Sequence, residues 1–105
     1  MTDDTEVFNA ADPAAVDKKT RKADRVENRR LAAFKTVMAS REGRRYVWWL
    51  LEQTGVFRSS FTGNSTTFFN EGQRNVGLML VADINAAAPE LYIVMLDEAK
   101  DDSNV

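Results

Sequence analysis

The chain of 105 residues contains no cysteine and no histidine. Without cysteine there is no disulfide framework, no thiolate zinc site and no cysteine nucleophile. Without histidine, the usual general base near neutral pH and the Ser-His-Asp arrangement are both missing. Proline occurs twice and glycine five times, so few residues interrupt regular structure. The strongly apolar runs, residues 46–51 and 91–96, fall far short of the roughly 18 to 20 residues that a membrane span needs. The start of the chain carries Asp3, Asp4 and Glu6, where a cleaved export signal would carry bases ahead of an apolar core.

What is present suits one packed domain. Hydrophobic residues make up 44% and charged residues 29%, proportions that belong to a globular chain rather than a disordered one. This length supports one core and is short for two. The net charge of −2 conceals a segregated pattern. Residues 1–17 hold five acids and no base; residues 18–45 hold eleven bases and three acids; residues 46–58 balance; residues 59–105 hold two bases and seven acids.

The local signals are helical throughout. Asp12-Pro13 is a strong helix start, since the Asp side chain can accept from a free first-turn amide and Pro fits the first position without losing a bond. No glycine or further proline interrupts the chain from there to about Ala39. Ten of the fourteen residues from position 17 to 30 are charged, whereas Leu31, Ala32, Ala33, Phe34, Val37 and Met38 supply an apolar face. The second half of this helix is expected to pack and the first half to project. Ser40 caps a second helix, residues 41–54, which Gly55 ends. Asn64 or Ser65 caps a third, reaching about Ala87. Pro89 opens a fourth, ending near Lys100.

Residues 44–57, RRYVWWLLEQTGVF, hold both tryptophans. Apolar groups around the whole circumference of the second helix predict a buried, central position. Gly72 and Gly77 in the third helix predict a close neighbour at each, with aromatics from the second helix as occupants. The expected architecture is all-α: a small four-helix domain over residues 12–100 with a long, charged, partly projecting first helix. A flexible acidic arm precedes it over residues 1–11, where Val7 and Phe8 could dock on a partner, and an acidic tail follows over residues 101–105.

Two groups could make contacts. Lys18, Lys19, Arg21, Lys22, Arg25, Arg29 and Arg30 could neutralise phosphates or meet an acidic protein surface; a solvated helix with internal ion pairs is the plainer reading. Arg44 and Arg45 beside Trp48 and Trp49, with Phe57, Phe61 and Phe69 downstream, form a set of core or interface anchors. Glu71, Asp83, Glu90 and Asp97 lack metal-ligand or acid–base spacing, and Glu71 is expected to pair with Arg74. Ser59, Ser60, Thr62, Ser65, Thr66 and Thr67 read as turn and cap residues. No catalytic residue, cofactor or metal is expected.

Gly43-Arg44-Arg45 leading into Trp48-Trp49-Leu50-Leu51, then Gly55-Val56-Phe57, Phe61 with Gly63-Asn64-Ser65, and Phe69-x-Glu71-Gly72-x-Arg74 with Gly77 resemble a family of small proteins from short-tailed bacteriophages, typified by a Bordetella phage protein. The likeness spans about residues 40–99. It implies a non-enzymatic structural or virion-assembly protein, made in the bacterial host cytoplasm and placed in the virion. Such a protein would be portal- or tail-associated, or carried in the capsid for DNA ejection. Partners would be other virion proteins and further copies of the chain. A phage DNA-binding accessory using the basic first helix is the alternative, and an inhibitor of a host protein is a third class.

Overall fold

Asp12 opens α1 (Pro13–Met38) by accepting the Ala14 amide at 3.0 Å, which satisfies one of the four free donors of a helix start. The computed structural model describes residues 12–104; the acidic arm expected over residues 1–11 lies outside them. Three more helices follow, α2 (Arg41–Thr54), α3 (Thr66–Ala87) and α4 (Glu90–Ser103), and no strand occurs among the described residues. Over the described residues the fold is all-α with four helices.

The chain divides between Arg30 and Leu31 into two compact units. In the first, every side chain from position 17 to 30 is exposed, as ten charges among fourteen residues require. Glu27 and Arg30 form an ion pair of 2.7 Å one turn apart.

The second unit contains the core. Only Ala39 and Ser40 separate α1 from α2. Ser40 accepts the Gly43 amide at 3.0 Å, and a Cβ at Gly43 would collide with the Val37 carbonyl, so glycine is what lets the two helices turn this tightly. Gly55, with φ of 71°, ends α2 in the left-handed conformation. The linker to α3 is pinned by small polar groups. Asn64 Oδ1 accepts the Thr66 amide at 2.9 Å, Thr67 Oγ1 accepts the Thr62 amide at 2.9 Å, and Asn70 donates to the Ser60 carbonyl at 3.2 Å. Glu71 accepts the Ser60 hydroxyl rather than pairing with Arg74.

Met38, Val47, Leu51, Val56, Ile84, Ala88 and Met95 are buried together, ringed by half-buried Phe34, Trp48, Leu80, Val81, Leu91 and Tyr92. Helix α2 packs on both α3 and α4, in the middle as its composition predicts. Its tryptophans are not the core, however. Arg44, Val47 and Leu51 follow the i, i+3, i+7 line that turns inward; Trp48 sits at the border, and Trp49 is 48% and Tyr46 60% exposed on the far side. Two neighbouring helices cannot enclose a helix that is apolar all round, so part of its circumference stays in solvent.

Two further expectations need correcting. At Gly77 a Cβ would overlap the Thr54 hydroxyl and stand 2.9 Å from Val56 Cβ, so the close neighbours are a threonine and a valine, not aromatics. At Gly72 nothing lies within 4 Å; that glycine faces open space. Helix α4 also continues past Lys100 through Asp101 and Asp102 to Ser103, because Asp102 is held from the side by arginines of α2.

Candidate functional site

Helices α2 and α4 enclose a cleft of about 510 Å³ in the second unit. Trp48 and Trp49 from α2 and Met95 and Ala99 from α4 supply its apolar walls. Along it runs a ladder of ion pairs between the start of α2 and the end of α4. Arg44 donates through Nε and Nη2 to the two oxygens of Glu98, each at 2.8 Å, and through Nη1 to the Met38 carbonyl at 2.8 Å. Arg45 donates to both oxygens of Asp102, at 2.9 and 3.1 Å, and to Glu42 at 2.6 Å. Arg41 approaches Asp102 at 3.6 Å.

The ladder shows in the acidities. Hydrogen bonding from Arg44 outweighs partial burial and holds the Glu98 carboxyl below its ordinary range. Hydrogen bonding from Arg45 does the same for Asp102. Both guanidiniums are correspondingly held in the charged form, Arg44 chiefly by Glu98 and Arg45 chiefly by Asp102. Because each arginine is spoken for by a carboxylate, the cleft offers no spare positive charge to a phosphate. It suits apolar side chains entering between the tryptophans, and its volume lies within the range of about 300 to 1,000 Å³ of binding clefts.

The anchors expected from sequence therefore separate. Arg44 is buried and structural; Arg45 is exposed and bridges α2 to α4. Trp48 stacks on Phe57, ring centres 5.6 Å apart at 29°, and Trp49 leans on Tyr46 at 5.4 Å. Phe57, Phe61 and Phe69 are 53%, 76% and 66% exposed and lie outside the core.

Lys18, Lys19, Arg21, Lys22, Arg25, Arg29 and Arg30 all sit exposed on α1 in the first unit. At 100° per residue, Lys18, Arg21, Lys22, Arg25 and Arg29 fall within an arc of about 100°, while Asp17, Asp24 and Glu27 occupy the other side. Glu98 and Asp102 are the participants that sequence reading left out. Their i, i+4 spacing puts both acids on one face of α4, where Glu98 meets Arg44 and Asp102 meets Arg41 and Arg45. Acids clustered at one helix end and arginines at another were the available signal. Among the described residues no group of three or more acidic, histidine or cysteine side chains could hold a metal ion, and no helix is long and apolar enough to cross a membrane.

A second surface is a run on α3. Phe68, Phe69, Val76 and Met79 are 81%, 66%, 52% and 67% exposed, with open space above Gly72 between them. Spacings of three and four place them on one outward face.

Residues 34–97, more than half of the chain, match the Bbp19-like phage protein family. No curated protein and no solved structure matches the chain.

Proposed function

The chain belongs to the Bbp19-like phage protein family, and on that premise we propose that it is a non-enzymatic structural or assembly protein of the virion. The observation that carries this reading is the excess of large apolar side chains left outside a small core. Among the described residues seven apolar side chains are buried, yet Tyr46, Trp49, Phe57, Phe61, Phe68, Phe69, Val76, Met79 and Ile93 are each about half exposed or more. Exposed large apolar side chains gathered on one face, as Phe68, Phe69, Val76 and Met79 are on α3, mark a site that another protein covers. The same chain devotes its most strongly bonded charges to holding α2 against α4, a scaffold role rather than chemistry on a substrate. The protein is made in the host cytoplasm and acts beside the portal and tail machinery, or inside the capsid for DNA ejection, as an oligomer among other virion proteins.

Mass spectrometry of purified particles of the encoding phage, with copy number relative to the portal protein, tests this. Presence at a fixed copy number is the expected result. Absence from both the particles and their assembly intermediates overturns it.

One observation favours a second reading. The five bases on one arc of α1, with the acids of that segment turned away, suit a DNA-binding accessory. Duplex binding should then weaken by up to about 500-fold between roughly 50 and 200 mM salt, the value for five neutralised phosphates. No binding at the lower salt removes this reading.

A further inference from the structure

Helix α4 turns an acidic stripe outward whose spacing repeats that of the bases on α1. Glu90, Asp97 and Asp101 lie within about 40° of arc, all exposed and none in an ion pair with another described residue. Between them sit Ile93, 61% exposed, and Val94, 38% exposed. Lys100 borders the stripe on one side. Lys18, Lys22 and Arg29 on α1 are likewise exposed and unpaired among the described residues.

From this complementarity we propose that the α4 stripe of one copy binds the basic stripe of α1 in a second copy, with the two helices antiparallel. The registers coincide. Lys18 to Arg29 and Glu90 to Asp101 both span eleven residues, or roughly 16 Å of helix. Setting Lys18 level with Asp101 sets Lys22 level with Asp97 and Arg29 level with Glu90. The same register brings Val26, 60% exposed, level with Ile93 and beside Val94. A parallel pairing also makes three charge pairs, but it brings Val26 level with Glu98, which Arg44 already holds. The antiparallel arrangement is the one that gives the apolar residues partners, and it opposes the helix dipoles.

Two different surfaces meet in this contact, so it is heterologous: each copy keeps one stripe of each sign for the next, and copies propagate into a ring or an open chain. Exposed charge pairs are individually weak and salt-screened. The assembly therefore gains its specificity from register, with Val26, Ile93 and Val94 excluding water at the centre. The inference gives a physical form to the assembly role proposed above and rests on it.

Charge exchange tests the register. One variant carries Lys18→Glu and Lys22→Glu, a second carries Asp97→Lys and Asp101→Lys, and mass is read by light scattering at about 50 mM salt, where screening is weak. Melting curves for each variant confirm that the exposed substitutions leave the fold intact. Wild type is expected to be oligomeric and each variant alone to fall to the mass of one chain. An equimolar mixture of the two should reassemble above the mass of one chain, because the reversed α1 stripe of one variant then meets the reversed α4 stripe of the other and the unaltered stripes meet as in wild type. A monomeric wild type, variants that assemble as wild type does, or a mixture that stays monomeric each overturns the pairing. Particle composition is read independently: an oligomer restored by charge exchange but absent from virions and their assembly intermediates would defeat the virion role and leave the helix pairing standing.

Discussion

Arg44 and Glu98, fifty-four positions apart, meet in a two-pronged ion pair with both bonds at 2.8 Å. The third prong of Arg44 takes the Met38 carbonyl, a group at the end of α1 that would otherwise lack a partner. One side chain thus joins the ends of α1 and α4 to the start of α2.

Removing one member of this pair leaves the other partly desolvated and uncompensated. Arg44→Met and Glu98→Leu should each lower the melting temperature clearly, and the double variant should lose less than the sum of the two. Circular dichroism melts of the three variants measure this. Strictly additive losses would show that the pair does not act as a unit.

The depressed carboxyls of Glu98 and Asp102 fix the sign of the pH response. A group whose acidity is stronger in the folded state adds stability above its unfolded value, near pH 4 for a carboxylate, and that contribution fades as pH falls toward the folded value. Urea midpoints should accordingly be flat near neutrality and drop in acid. Arg44→Met should flatten part of that drop; an unchanged acid limb in this variant would count against the assignment.

The two glycines of α3 should respond oppositely to alanine. Gly72→Ala enters open space and should stabilise by about 0.5 to 1 kcal/mol through the unfolded chain and helix preference. Gly77→Ala drives a methyl into Thr54 and Val56 and should destabilise by about 1 to 3 kcal/mol. Chemical denaturation of both variants decides, and equal effects would contradict the packing described.

The centre of the fold is aliphatic, so Leu51→Ala should cost about 2 to 5 kcal/mol. Trp49→Ala, at a half-exposed position, should cost about 1 kcal/mol or less. A larger loss at Trp49 than at Leu51 would restore the tryptophan-centred core that the sequence suggests.

The ends of α2 and the start of α3 were the most legible parts of this chain. Ser40, Gly55 and Asn64 act through bonds within a few residues of themselves, so their signals are local and the limits of α2 read directly. The inward side of α2 was not legible. Six consecutive apolar residues from Tyr46 to Leu51 give no preferred face, and the choice of Val47 and Leu51 over Trp49 depends on where α3 and α4 lie. Gly72 and Gly77 look alike in sequence for the same reason; only the position of Thr54 and Val56 separates them. The Arg44–Glu98 pair is non-local, and the clustering of arginines at the start of α2 and of acids at the end of α4 becomes decisive only once α2 and α4 are known to be neighbours. The basic face of α1, by contrast, follows from spacing alone.

The surroundings of the two indoles make the protein its own optical reporter. Trp48 is half-buried under Phe57, and Trp49 stands half in water beside Tyr46, 5.4 Å between ring centres. With only these two indoles in the chain, emission should divide into a shielded blue component and a hydrated red one. Trp49→Phe and Trp48→Phe isolate the two. An apolar partner seated between α2 and α4 would shield Trp49 and move the red component toward the blue, whereas unfolding would expose Trp48 and move the blue component toward the red, so occupancy and integrity can be followed by colour in unlabelled protein.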